Sequence, residues 1–244
     1  MAKKKKRRRP PTRPAVRPEQ APARAERKEE ARKEREARMR RARRRVLLRR
    51  LSRVGIVVLL AGLIAGFIYW RGGETRRENQ AAAAAAERLG CTEVQDLPDE
   101  GREHLGAGEP PPEYGSTPAT SGRHSPATLG TDIEVFDDPI DSTLEPQAVH
   151  SLEHAYVIMY YRQGGDAGLP QNVVDAMADL ARAEDKVILA PHAELPEGQS
   201  LALAAWTHLQ SCPRVTDVND VVAIANGFIN QFRGGGDAPE ATAT

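Results

Sequence analysis

The chain has 244 residues and a formal net charge of only +1, but this near-neutrality is the average of two opposite halves. Residues 1–53 carry 24 Lys and Arg against 6 Glu, whereas the remaining residues carry 11 basic and 28 acidic side chains. Such an asymmetry argues against one compact domain and predicts two environments or two partners for the two halves.

The basic N-terminal arm, residues 1–53, is predicted to lie in the cytoplasm and to be disordered at first and then helical. Residues 1–18 are rich in Lys, Arg and Pro and have almost no large apolar side chains, so they cannot bury a core. From Glu19 to Arg53, strong helix formers and Glu-to-Lys/Arg pairs at spacings of three and four predict a solvated helix. Its expected partner is anionic lipid headgroups. Nucleic acid is a disfavoured partner, because no helix-turn-helix, zinc-finger or aromatic–basic pattern is present.

The segment Val54–Trp70 has 17 uncharged residues and is predicted to be a transmembrane signal anchor. A helix of this length spans about 25 Å, the short end of a bilayer crossing, and Tyr69 and Trp70 suit the headgroup layer. A buried core helix is the first alternative. A cleaved signal peptide is the second, and the 53 residues before the apolar segment argue against it. The arginines before the segment predict a cell-membrane protein with a cytoplasmic N-terminus and an extracytoplasmic C-terminal part.

Residues 71–90 are predicted to form a polar helical stalk that ends at Gly90. The chain has two cysteines, Cys91 and Cys212. Outside the cytoplasm they most simply form one disulfide, and two free thiols are the alternative. A bridge that closes a loop of about 120 residues stabilises a domain by at most a few kcal/mol in the chain-entropy model. A redox role is not expected, because the cysteines lack the Cys-x-x-Cys spacing.

Residues 91–233 are predicted to form one small extracytoplasmic domain of the α/β or α+β class. Residues 97–146 are rich in Pro, Gly and acidic residues and are predicted to be irregular. The hydrophobic periodicities that follow predict the order strand, helix, strand, strand, helix, over residues 149–161, 168–183, 186–191, 200–210 and 216–232. The segment 200–210 is either a strand throughout or a strand that leads into a turn. Residues 234–244 are predicted to be a disordered tail.

Three stretches of this domain, YGSTPATSGRHSP, VHSLEHAYVIMYY and LALAAWTHLQSC, resemble a family of bacterial membrane-anchored proteins catalogued as domain of unknown function 3105. The resemblance covers roughly residues 90–232 and implies an extracytoplasmic domain without a particular reaction. Its most specific elements are Thr-Ser-Gly-x-His and His-x-Leu-Glu-His. The family pattern favours Gly where this chain has Ala155 and Thr207. A side chain at these positions makes it doubtful that the backbone approaches its neighbours as closely as Gly would allow, but the predicted fold does not depend on this.

His150 and His154 lie four residues apart with Glu153 beside the second, as in the H-x-x-E-H pattern of inverted zincin peptidases. The strand-like residues after His154 argue against the long helix that this chemistry requires. On an extended strand the two rings would lie roughly 13 Å apart and could not share one ion. A single helical turn over HSLEH would instead bring them together.

His124 is the predicted third ligand of a metal site with His150 and His154, and three imidazoles suit Zn²⁺ or Cu²⁺. Glu153 would be a fourth ligand or would orient one of the rings. In the alternative interpretation, these side chains only cap a strand or bond to carboxylates. His104, His192 and His208 are not included among the predicted ligands.

No catalytic residue is predicted, because the sequence has no G-x-S-x-G elbow, no phosphate-binding glycine loop and no dinucleotide fingerprint. The expected function is a binding or assembly module of the cell envelope, with an unknown envelope protein as its partner. The alternative is a metal-binding protein or a metal-dependent enzyme that uses His124, His150, His154 and Glu153. Imidazoles more than about 8 Å apart would argue against the metal.

Overall fold

In the computed structural model of the chain, residues 20–130 and 133–242 are described. The chain divides into two units, Met1–Trp70 and Arg71–Thr244. In chain order the described elements are helix α1 (Gln20–Leu89), strand β1 (Gln95–Asp96), helix α2 (Glu145–Glu153), strand β2 (Val157–Tyr161), helix α3 (Gln171–Ala183), strands β3 (Val187–Pro191), β4 (Leu201–Ala205) and β5 (His208–Cys212), and helix α4 (Val218–Phe232).

The first unit is described from Gln20 onward, where it is helical throughout. Glu–Lys and Glu–Arg pairs one turn apart run along its early part, as the sequence predicts, at Glu29–Lys33, Arg32–Glu36 and Glu34–Arg38. Among the described residues, the helical stretch Glu26–Phe67 is long and apolar enough to cross a membrane, and none of its most apolar window is buried in protein. This is compatible with a membrane anchor. The predicted disorder of residues 1–18 lies outside the described part of the chain.

The second unit is built on a mixed sheet with strand order β1-β5-β4-β2-β3. Strands β2 and β3 are parallel and are connected through α3, while the other neighbouring strands are antiparallel. Strand β4 turns directly into β5 through residues 206–207, so the predicted strand over 200–210 is the first part of a hairpin. A mixed α/β domain is therefore confirmed.

Both faces of the sheet are covered, which explains why β2 reads as one continuous apolar run. Alternate side chains of β2 enter different cores: Val157 and Met159 face α3 and α4, and Ile158 and Tyr160 face the opposite side. The second core is closed by α2 and by the irregular segment before it. This segment, which has the composition of a loop, is thus part of the packed domain.

Helix α2 is the main difference from the predicted fold. The alternating pattern of residues 149–161 predicts a strand that starts at Val149, but residues 145–153 are helical and β2 starts only at Val157. Pro146 lies in the first turn of the helix, where a missing N–H costs nothing. Val149 and Leu152 then pack together in the second core, and this helical contact overrides the alternation.

Two turn positions adopt left-handed backbone conformations that rarely suit a residue with a side chain. Ala155 has φ 62° and Thr207 has φ 60°. These are the two positions where the resemblance described above implies Gly. Glycine has no Cβ and enters this region without steric cost. Gly would therefore enter these two turns, after α2 and between β4 and β5, with less steric cost than Ala or Thr.

The two ends of the domain are tied to its body. Cys91 and Cys212 form the predicted disulfide, which joins the residues after α1 to the end of β5. At the other end, residues 234–242, here called the C-terminal strap, pack on the domain, unlike the disordered tail that the sequence predicts. Gly234 N donates to Ala155 O at 3.0 Å, Glu240 N donates to Glu153 O at 3.0 Å, and Ala238 packs against the second core.

Candidate metal centre

Two elements on the α2 side of the sheet bring four candidate ligands together. His150 and Glu153 are three residues apart on α2, so their side chains lie on one side of the helix. His124 and His104 come from the irregular segment, where two strands of backbone form a parallel bridge. Leu105 N donates to His124 O at 2.7 Å and His124 N donates to Glu103 O at 3.1 Å, which holds both histidines in register.

The four side chains converge closely enough to surround one ion. One ligand atom from each of His104, His124, His150 and Glu153 lies within 4.8 Å of the others. The ring centroids of His104, His124 and His150 are 4.9 to 5.0 Å apart, well inside the separation that would argue against a metal. His124, His150 and Glu153 are buried, whereas His104 is exposed, so solvent reaches the group from the side of His104.

His124 has one ring nitrogen whose protonation state follows from its partner. Its Nδ1 lies 2.8 Å from Gly122 O, and a carbonyl oxygen only accepts, so Nδ1 carries the hydrogen. In the neutral ring Nε2 then has a lone pair. This atom is buried, lies 3.0 Å from Glu153 Oε2 and has no hydrogen-bond partner. With a neutral His124 ring, two electron-rich atoms would face each other at 3.0 Å, an arrangement that a shared cation would stabilise.

His150 offers a second buried ring nitrogen. Its Nδ1 is buried without a hydrogen-bond partner, whereas its Nε2 lies 3.0 Å from His154 Nε2. Burial lowers the pKa of His150 to about 4, with further lowering by the neighbouring rings of His124, His154 and His104. Its ring is therefore neutral at neutral pH, the state that a metal ligand requires.

The structure brings together three of the four predicted site residues. His154 lies outside the compact group and contacts it only through His150, and its Nε2 is 3.6 Å from Glu240 Oε2. His104, which the sequence analysis leaves out, takes the fourth place. A single histidine in a Pro- and Gly-rich linker has no periodic neighbour, and only its long-range pairing with His124 could identify it.

The other two histidines bond to carboxylates away from this group. His192 Nε2 lies 3.5 Å from Glu145 Oε1. His208 lies between Asp96 and Asp237, at 2.9 and 3.1 Å.

The arrangement can hold a metal but does not reproduce an inverted zincin. In that pattern both histidines of H-x-x-E-H bind the ion and the glutamate activates water. Here Glu153 is itself among the converging ligands and His154 is not. Three imidazoles and one carboxylate are a typical donor set for Zn²⁺, and imidazole also suits Cu²⁺.

A model of the family described as Protein of unknown function (DUF3105) matches residues 109–244. The chain belongs to this family. The DUF3105 match includes His124, His150 and Glu153 and runs on through the C-terminal strap, whereas His104 lies before its start. No curated protein and no solved structure matches the chain.

Proposed function

We propose that the external domain binds one divalent transition metal ion, Zn²⁺ or Cu²⁺, through His104, His124, His150 and Glu153. The contact between His124 Nε2 and Glu153 Oε2 carries this proposal, because two acceptors face each other at 3.0 Å and His124 Nε2 has no hydrogen-bond partner. A buried polar atom without a partner costs about 1–3 kcal/mol, so such a contact needs a reason. A shared cation supplies one.

A protonated His124 paired with Glu153 is the competing explanation. Their contact is short, but it lacks hydrogen-bond geometry, which a buried ion pair needs to offset its desolvation. A metal ion would also satisfy His150 Nδ1. Of the four buried side-chain atoms without a partner among the described residues, two belong to this cluster.

Metal binding thus has a specific observation behind it, and the assembly role expected from sequence has none. The partner in the envelope stays a prediction. The exposed ring of His104 provides a side from which an ion can enter or leave, so the site suits reversible binding. The chain's residues hold and orient the ion, and no reaction is proposed.

The test is the metal content of the full-length protein in detergent after loading with Zn²⁺ or with Cu²⁺ and desalting. We expect about one ion per chain by elemental mass spectrometry, and less than about one-tenth in the variant with both His124→Ala and His150→Ala. His192→Ala removes a histidine that bonds to Glu145, outside both the cluster and the C-terminal strap, and should leave the metal content of the folded protein unchanged. A wild-type protein that retains neither metal would overturn the proposal.

We further propose that α1 anchors the chain in the cell membrane with its N-terminus in the cytoplasm, where its arginines contact anionic headgroups. In the described part of this helix before Val54, the ion pairs involve residues 29–38, whereas residues 39–53 contain eight Arg and no acidic residue. A block of unpaired arginine beside an apolar segment favours the cytoplasmic, negatively charged leaflet.

Trypsin, which cleaves after Arg, tests both parts of this second proposal. Added to intact spheroplasts, it should cut the external domain and spare the arm. In nanodiscs, anionic lipid should slow cleavage within residues 39–53 compared with zwitterionic lipid, and salt near 1 M should remove the difference because the Debye length falls to about 3 Å. Cleavage of the arm in intact spheroplasts would show the opposite orientation.

A further inference from the structure

The C-terminal end of α2 is held from outside the helix. A helix leaves its last carbonyl groups without intrahelical partners. Here the carbonyls of residues 153, 154 and 155 each accept a hydrogen bond from elsewhere in the domain. The donors are Glu240 N at 3.0 Å, Lys186 Nζ at 2.9 Å and Gly234 N at 3.0 Å, in that order. Two of the three donors belong to the C-terminal strap.

Lys186 joins the end of α2 to the strap. Its ammonium group donates to His154 O and also, at 3.1 Å, to Ala241 O. The residue itself has a left-handed backbone with φ 59°, a conformation that few residues with side chains adopt. The ammonium also lies 6.0 Å from the centre of the Tyr156 ring. Lys186 is therefore a third link between the end of α2 and the C-terminal strap, beside the bonds donated by Gly234 and Glu240.

The turn held in this way carries the candidate ligands. Glu153, whose backbone carbonyl bonds to the strap, supplies the carboxylate of the metal group. His154, whose carbonyl bonds to Lys186, contacts the His150 ring at 3.0 Å. A shift of the end of α2 would therefore move one ligand directly and a second through its neighbour.

We propose that Lys186 and the C-terminal strap are positioning elements of the metal centre, so that docking of the strap and binding of the metal are coupled. This inference rests on the proposed metal binding. Partners outside the ligand set hold ligands in orientation, and their loss typically costs about 10- to 100-fold in metal affinity. Coupling between two binding events is reciprocal, so the bound metal must in turn hold the strap in place.

The test uses the full-length protein in detergent with Zn²⁺ as the probe and a chelator as competitor. We expect Lys186→Met to weaken Zn²⁺ binding about 10- to 100-fold and to speed its release, and Lys186→Arg to restore most of the affinity. Arg182→Met, which removes an exposed cation from α3, is the matched control and should bind like wild type. A chain ending at Gly236, which lacks the donor of Glu240, should resemble Lys186→Met.

Hydrogen exchange distinguishes coupling from a general loss of structure. Zn²⁺ should slow exchange of the amides of Gly234 and Glu240 in the wild-type protein, and should have no effect on them in His124→Ala. Zn²⁺ affinity of Lys186→Met and of the shortened chain within twofold of wild type would overturn the positioning role while leaving metal binding intact. A wild-type protein that binds no Zn²⁺ would overturn both proposals.

Discussion

Replacing Glu153 with Gln is expected to abolish tight metal binding and at the same time to stabilise the metal-free domain by about 1–2 kcal/mol. The metal is lost because the amide carries no charge and is a poor ligand for Zn²⁺ or Cu²⁺. With a neutral His124 ring, the metal-free domain gains because an amide N–H donates to His124 Nε2, which otherwise lies 3.0 Å from a carboxylate oxygen without a shared hydrogen. The measurement is thermal unfolding in the presence of a chelator, with an expected rise of roughly 2–4 °C per kcal/mol.

The sign of the stability change in Glu153→Gln distinguishes a metal-binding site from a buried ion pair between protonated His124 and Glu153. If His124 is protonated and pairs with Glu153, the substitution leaves a buried charge without its partner and should destabilise the domain by about 3–5 kcal/mol. Glu197→Gln, at an exposed position away from the cluster, removes the same charge and should change little. A destabilised Glu153→Gln beside an unchanged Glu197→Gln would refute the metal interpretation of this contact.

Removal of the disulfide is expected to lower the free energy of unfolding of the domain by about 4 kcal/mol. The reason is the length of the loop, since Cys91 and Cys212 are 121 residues apart and the open chain gains correspondingly more conformational freedom. In a variant with both Cys91→Ala and Cys212→Ala, the unfolding midpoint should fall by roughly 8–16 °C. Cys212 is fully buried, so loss of its packing adds to the effect.

Reduction provides the control for the disulfide prediction. Dithiothreitol should bring the midpoint of the wild-type protein close to that of the double variant and leave the variant unchanged. Cys212 packs in the core on the α3 and α4 side, opposite the core to which His150 and its helix belong. Zn²⁺ content should therefore survive in the folded variant. A midpoint change below about 2 °C would contradict the stabilising role of the bridge.

Elements whose own composition decides their structure are the ones that the sequence predicts correctly. The uncharged run Val54–Trp70 lies in α1, and its length and apolar composition, which are local properties of the sequence, make the helix suitable for crossing a membrane. The apolar stripes of 171–183 and 218–232 predict α3 and α4, since one helical face must be buried. The pairing of Cys91 with Cys212 follows from there being two cysteines.

Prediction fails where a short segment suits two conformations. Residues 149–153 alternate like a strand, and α2 exists because Val149 and Leu152 meet the second face of a sheet that is built from later residues. The strap over residues 234–242 has little hydrophobic content, so its composition predicts disorder. It is held in place by backbone hydrogen bonds to the end of α2, which the composition of the strap does not reveal.

The sequence by itself determined the two-part organisation, the apolar helical segment, the disulfide and the identity of three of the four converging side chains. Each of these depends on residues near one another in the chain or on the count of a rare residue type. Only the tertiary structure decided that His104 replaces His154 in the group, because a bridge between distant backbone segments places His104 beside His124. The direction of a side chain depends on such contacts, and sequence spacing alone does not specify them.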